Sequence, residues 1–355
     1  MGEQSVAQTF KAEVITDYLH RLFEAAGANE KEAKQIADHL VMASLRGVDS
    51  HGISKTDIYL KRIKENMINL QPKHAINRET PVSALIEADN GMGIPSAEKA
   101  VDLAVEKAKK TGVGLVGVSN SNHCGMLANY VTKAADQDLI ALAVTNAPAV
   151  VAPWGARQAF FGTNPIAYGL PSNRPHPIVF DMATSKVAKG KIVLAEQEGR
   201  DIPLGWAITP EGEQTDDPAR AIEGCILPMG EAKGYGISFL VETLSSLLTG
   251  AAYGPNIGDL FSEFEQKQEL GHFFMVMRAD LFVGLETFKH RIDTMAEEIK
   301  QLKPMKGVKE IYLPGEIEWL NYEDRKLNGI PLSMQMLETL DAWGELYGVE
   351  SIAVK

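Results

Sequence analysis

The chain reads as an α/β protein whose core is not a Rossmann fold, and three observations point there. The first seventy residues carry only helical patterning. After Pro72, short β-prone runs alternate with helical segments. No Gly-x-Gly-x-x-Gly follows a strand and opens a helix, so the dinucleotide fingerprint is missing.

In order along the chain, Phe10, Val14, Ile15, Tyr18, Leu19, Leu22 and Phe23 recur at helical spacing, and Gly27 can end that helix. Asn29 followed by Glu32 has the form of an N-cap with its capping-box partner, ahead of the stripe Ile36, Ala37, Leu40 and Val41, which ends near Gly47. A further helix covers Thr56–Asn66. Strands are expected over Val82–Ala88, Val113–Val118, Leu139–Thr145, Ile166–Leu170, Ile178–Phe180, His272–Met277 and Lys309–Leu313. Helices are expected over Ser96–Lys110, with Ser96 as cap and Gly112 as terminator, and over Met126–Ala135, Gly234–Leu248, Glu286–Leu302 and Ser333–Tyr347. Gly112-Val-Gly-Leu-Val-Gly has the spacing of the fingerprint but lies on an apolar strand, where its glycines serve packing.

Bulk properties narrow the function. At 355 residues with 45% hydrophobic and 23% charged side chains, the chain can bury a large core without metals or disulfides. Its two cysteines, Cys124 and Cys225, show no paired spacing and fit a reducing compartment, so a cytoplasmic location is expected. A net charge of −12, with no Lys/Arg run beyond two, excludes a nucleic-acid partner. The stretch Met1-Gly-Glu-Gln-Ser has no secretory pattern, and no apolar run is long enough for a membrane span.

Five segments carry candidate chemistry. Arg46-Gly-Val-Asp-Ser-His-Gly breaks a helix with glycines and places His51 where an imidazole can move a hydroxyl proton. Ser119-Asn-Ser-Asn-His-Cys-Gly-Met follows the C-terminal end of a strand, where α/β crevices lie, and contains His123. In Phe161-Gly-Thr-Asn-Pro, Thr163 and Asn164 can donate to an anion. Phe180-Asp-Met-Ala-Thr-Ser ends a strand in Asp181 and continues in small residues that permit close approach. Leu227-Pro-Met-Gly-Glu-Ala-Lys-Gly-Tyr-Gly places Lys233 at a helix N-terminus, an anion-binding arrangement. Taken singly, each is also an ordinary turn. A metal-dependent hydrolase using Asp49, His51 and His123 as ligands is a remote alternative without a supporting HxxxH or HExxH spacing, and no metal is expected.

Together with Gly205-Trp-Ala and Thr215-Asp-Asp-Pro, these motifs stand in an order that resembles the type-2 malate/L-lactate dehydrogenase family. That family also contains ureidoglycolate, sulfolactate and diketogulonate dehydrogenases or reductases and some cyclic imine reductases. The resemblance runs from the N-terminal helices to Leu313-Pro-Gly-Glu. It implies a non-Rossmann, mixed-sheet α/β core (residues 73–317, with a helical segment near 230–265). It also implies a discontinuous helical lobe from residues 1–72 and 318–355, and a homodimer. The implied activity is hydride transfer between NAD or NADP and a small 2-hydroxy or 2-oxo acid such as malate or lactate. Ureidoglycolate oxidation or cyclic imine reduction is the alternative within the family.

The same resemblance marks His51 and His123 as the proton-handling pair, without ranking them. It implies cofactor contacts at Ile178, Val179, Phe180, Asp181, Met182, Ala183, Thr184, Ala232, Lys233, Gly315, Glu316 and Ile317. Substrate contacts are expected from Ser50, Lys55, Tyr59, Thr163 and Asn164. Lys55 stands where several members carry a carboxylate-gripping arginine, so the charge is kept and the bidentate fork is lost. Tyr59 lies one helical turn beyond Lys55, on the same face.

Overall fold

The structure, a computed structural model, describes residues 8–352, and the Met1–Ser5 stretch lies outside them. A short strand β1 (Gln8–Phe10) leads into α1 (Ala12–Ala25), α2 (Glu30–Leu45) and α3 (Thr56–Lys64). The buried faces are largely those the spacing indicates, Ile15, Tyr18, Leu19, Leu22 and Phe23 on α1 and Ile36, Ala37, Leu40 and Val41 on α2, but Phe10 belongs to β1, where it pairs with Ile330, and Val14 is only half-buried. Asn29 caps α2, its Oδ1 accepting from Glu32 N at 3.0 Å.

The core follows as β2 (Ala75–Glu79), β3 (Ser83–Glu87), α4 (Gly93–Thr111), β4 (Val113–Ser121), α5 (Ala128–Ala135), β5 (Leu139–Thr145), β6 (Ile166–Leu170) and β7 (Ile178–Met182). An excursion of α6 (Lys189–Gln197), β8 (Ala207–Ile208), β9 (Gln214–Thr215), α7 (Pro218–Glu223) and β10 (Cys225–Ile226) carries its own small sheet, ordered β10-β8-β9. Then come α8 (Ala232–Glu242), which continues as a π-helical turn over Thr243–Leu247, and β11 (Leu270–Arg278). The chain closes with α9 (Leu285–Lys300), α10 (Glu316–Asn328), β12 (Ile330–Leu332) and α11 (Met334–Tyr347).

The main sheet has seven strands in the order β2-β3-β4-β11-β5-β6-β7. Among the described residues β3 and β4 are the one neighbouring pair that is parallel; β11 enters between β4 and β5, antiparallel to both. A Rossmann sheet is mostly parallel, so this is the mixed, non-Rossmann α/β core expected. Gly114 shows why glycines sit on β4: a Cβ there would lie 2.1 Å from Ala104 O of α4.

The two chain ends meet. Strand β1 pairs antiparallel with β12, Gln8 opposite Leu332. Helix α11 packs against α1 and α3, and Tyr18 OH donates to Leu340 O at 2.6 Å. One apolar cluster joins Ile15, Leu19 and Leu40 to Ile330, Leu337 and Leu340.

Several elements differ from expectation. Lys309–Leu313 is not a strand: it forms no ladder, and Leu313 N donates instead to Glu316 Oε2 at 2.7 Å. Ser96 does not cap α4, which begins three residues earlier; its hydroxyl bonds back to Met92 O at 2.8 Å inside the first turn. Helix α5 starts at Ala128 rather than Met126.

Candidate active site

After α2 the backbone turns at Gly47, whose φ of +76° suits glycine, and a single 3-10 turn spans Asp49–His51. Gly52 is required by crowding, since a Cβ there would sit 2.1 Å from Ser44 Oγ. The turn is tied at several points. Ile53 N donates to Ser44 Oγ at 3.1 Å, Ser54 Oγ to Asp49 O at 2.6 Å, and Arg325 grips both Asp49 carboxylate oxygens at 2.5 and 3.0 Å. His51 Nδ1 lies 3.0 Å from Ser50 Oγ.

His123 approaches from the sheet. Just past β4, the buried Asn122 amide donates to Asn90 O and Gly91 O at 3.1 and 2.9 Å. Gly93 lets this turn close down, because a Cβ there would meet Asn122 O at 2.0 Å. The His123 backbone N–H donates to Gln268 Oε1 at 3.1 Å. The two catalytic candidates, remote in sequence, stack with ring centroids 5.6 Å apart and 27° between planes. Tyr59 OH is 2.6 Å from His123 Nδ1, and Gly125 N–H donates to the same nitrogen at 3.4 Å. A nitrogen that accepts from a backbone N–H carries no proton, so the ring presents Nε2–H.

Burial sets the electrostatics. It draws His51 down to about 4, with the Lys55 ammonium adding to the effect, and holds His123 well below the usual imidazole range, with His51 and Lys55 contributing. Lys55 falls to about 8 through desolvation, and its Nζ sits 4.6 Å from the centre of the Phe261 ring. At neutral pH the site therefore holds two uncharged imidazoles beside one ammonium.

A cleft of about 560 Å³ opens in front of His51. Arg46, Ser50 and His51 line it together with Gly125–Ala128, Val179–Ala183 and Leu313–Gly315. Asp181 Oδ2 accepts from Ala128 N at 2.8 Å; burial nonetheless raises this carboxyl to about 6. Gly315, at φ +79°, lets its loop touch β7, as a Cβ would stand 2.2 Å from Val179 O. Arg46 is buried, its Nε has no hydrogen-bond partner, and it is the one cation among the lining residues. Small residues on two sides and a donor-rich cation suit a flat, phosphate-bearing dinucleotide.

Not every candidate reaches this cleft. Val179–Ala183, Gly315, Ile317, Ser50, His51 and Thr163 line it. Ile178 and Glu316 border a neighbouring cavity of about 180 Å³ that shares Leu313 and Pro314. Thr184 is buried behind, bonded to Thr163 O at 2.8 Å. Asn164 points away: it is fully buried and donates to Glu242 Oε2 at 2.6 Å. Ala232 and Lys233 are exposed at the start of α8, outside the cleft; they follow the Leu227–Met229 stretch that pairs with Thr184–Lys186. Asp49 spends its carboxylate on Arg325, and among the described residues no three His, Cys, Asp or Glu side chains gather as metal ligands. Arg46, Gln268, Tyr312 and Arg325 were not singled out from sequence; of these only Arg46 carried a signal, its place in the His51 motif.

The chain resembles known proteins over almost its whole length. Residues 10–341 match the family model described as malate/L-lactate dehydrogenase. Malate dehydrogenase of Pyrococcus horikoshii is 38% identical over 346 residues, 95% of each chain. L-sulfolactate dehydrogenase of Methanocaldococcus jannaschii is 40% identical over 300 residues, 84% of this chain and 86% of that one. A solved structure of sulfolactate dehydrogenase from Methanocaldococcus jannaschii superposes with a TM-score of 0.92 at 36% identity, covering 98% of this chain and 99% of that chain. Among the described residues no helix is long and apolar enough to cross a membrane. The chain belongs to the malate/L-lactate dehydrogenase family and is an NAD(P)-dependent dehydrogenase of small 2-hydroxy acids.

Proposed function

We propose that His51 takes the hydroxyl proton of a malate-type 2-hydroxy acid while His123 donates a hydrogen bond to the same oxygen. The carrying observation is the complementary pair of imidazoles 5.6 Å apart. His51 is neutral at working pH, and with Nδ1–H donated to Ser50 Oγ its Nε2 keeps a lone pair. His123, with Nδ1 accepting from Tyr59 and Gly125, offers Nε2–H. NAD(P) supplies the acceptor for the hydride that leaves C2. As C2–H breaks, the hydroxyl proton passes to His51, the C–O bond becomes a carbonyl, and the products are the 2-oxo acid and an imidazolium. Such proton transfer contributes roughly 10²–10⁴-fold. Lys55 holds the carboxylate as a point charge and Thr163 adds a donor; Asn164 positions that turn through Glu242.

Val179–Ala183, Gly315 and Ile317 are assigned to the cofactor, with Ile178, Thr184 and Glu316 behind them and Ala232 and Lys233 at the outer end. We further read residues 1–72 with 318–355 as one lobe and 73–317 as the other. The enzyme is inferred to be a cytoplasmic homodimer. Two free thiols support the compartment, and the exposed apolar face of Phe239, Leu240, Leu247 and Leu248 supports the dimer. Sedimentation of the purified protein at monomer mass would remove the dimer.

The test is His51→Ala, assayed by reduced-nicotinamide absorbance over a panel of malate, lactate, sulfolactate, ureidoglycolate and piperideine carboxylate. Turnover should vanish while NADH fluorescence titration stays intact. Parent-level turnover in that variant excludes His51, and preference for ureidoglycolate or the cyclic imine replaces the malate reading.

A further inference from the structure

Helix α10 touches both the cleft and the histidine turn. Its first turn, with Gly315 before it, supplies Ile317 and Glu318 to the cleft lining. Its outer length then runs along the segment that ends α2 and presents His51. Three residues of α10, Trp319, Asn321 and Arg325, join them. The Arg46 guanidinium lies 4.1 Å from the Trp319 ring centre, and His176 is stacked parallel at 4.1 Å. Two groups so centred occupy opposite faces of the indole. Gly47 leaves room for Asn321, whose Nδ2 would be 2.6 Å from an added Cβ. Arg325 donates to Ser44 O at 2.5 Å and forks onto Asp49. Ser44 in turn receives Ile53 N through its hydroxyl. The two residues Arg325 bridges, Ser44 and Asp49, thus enclose the start of the His51 turn, and Ser44 also fixes its exit.

We propose that Arg325 is a positioning residue for His51, and that α10 is a strut which sets the imidazole relative to the cofactor cleft its own first turn borders. The proposal rests on the reading of His51 as proton carrier. An arginine suits this role because its planar fork fixes the direction of the Asp49 carboxylate as well as its distance, where a lysine fixes only the distance. An isolated, partly exposed ion pair contributes little to stability. The value of this one lies in geometry, since displacing a reacting group by about 1 Å can lower a rate by about 100-fold.

The experiment uses the full chain with NAD and whichever of the five acids turns over fastest. Arg325→Gln should lower kcat by about 10- to 100-fold with the NADH dissociation constant within about twofold of the parent. Asp49→Asn should reproduce this, the double variant should be no worse than either single one, and Arg325→Lys should recover part of the loss. The acid limb of the kcat/KM profile should also move up, because a loosened His51 regains water while Lys55, His123 and His39 still face it. Parent-level kcat in Arg325→Gln, or losses that add in the double variant, overturns the strut. If Arg325→Gln does not fold, Asp49→Asn, which leaves the Trp319 and Asn321 contacts untouched, decides by the same criteria. A dead His51→Ala beside an unaffected Asp49→Asn removes the strut alone; an active His51→Ala removes the reading beneath it.

Discussion

The His51 wall of the cleft is backed by His123, Lys55 and Tyr59, so two imidazoles, an ammonium and a phenol gather there although only His51 lines the cleft, whereas the strand wall brings small and apolar side chains and one carboxylate already bonded to backbone. In the His51 cluster nearly every group titrates, and burial moves each of them: His51, His123 and Lys55 down, Tyr59 up. On the strand wall the decisive quantity is space, as at Gly315 against Val179 O. One wall is built for proton movement and the other for seating a flat molecule, so substitutions should separate rate from affinity.

After His51→Ala, the largest effect that probes this division is His123→Ala. Loss of this donor to the reacting oxygen should lower kcat by roughly 10²–10³-fold and leave NADH affinity near the parent value. Equal damage to both, read by stopped-flow and fluorescence titration, would merge the walls into one unit. Gly315→Ala should do the reverse. A side chain at φ +79° pressing on Val179 O carries strain of roughly 1–3 kcal/mol, so NADH binding weakens by about tenfold or more while kcat at saturation stays close to normal.

A third effect is set by Lys55, drawn down to about 8. Below that pH it is charged and grips carboxylate; above it the charge is lost. The KM for the hydroxy acid should rise by up to about tenfold per pH unit above 8, and Lys55→Arg should flatten that rise. Constant KM from pH 7 to 10 in the parent removes Lys55 from substrate binding.

Stability should follow the histidines. His39 is depressed to about 3, His51 and His272 to about 4, and His123 well below normal, all chiefly by burial. An unfolded chain takes up these protons near pH 6.5, so it binds more protons than the fold between about 6.5 and 4. Stability is therefore present above pH 6.5 and lost as pH falls through that window. Asp181, raised to about 6, works the other way and only partly offsets it. Urea midpoints at pH 7 and pH 5 test the sign. The smallest effect is Asn29→Ala, which removes the α2 cap and should cost about 1 kcal/mol of stability with kcat unchanged.

How much of this was legible depends on where the information resides. Helices α1 and α2 and strands β3 to β7 and β11 announce themselves because burial imposes a local period on their side chains. Strand β2 is exposed along its whole length and carries no such period, and the strands of the small sheet have two residues each. The run Lys309–Leu313 has strand-like residues but finds no partner, a fact no local pattern contains. Helix α10 buries no residue fully, so its pattern is weak although its contacts are many. The motifs holding His51, His123, Thr163 and Asp181 stood out as glycine-punctuated polar clusters. Their mutual distances did not, and the orientation of Asn164 towards Glu242 depends on a helix 78 residues later.

The joining of the two ends, β1 to β12 and α1 and α3 to α11, has a consequence for synthesis. A nascent chain can finish its sheet well before the residues of α11 leave the ribosome, yet the layer that presents His51, Lys55 and Tyr59 still lacks its last helix. Cutting the chain after α10 would therefore leave every strand of the seven-stranded sheet in place and strip α11 from the layer that carries His51, Lys55 and Tyr59.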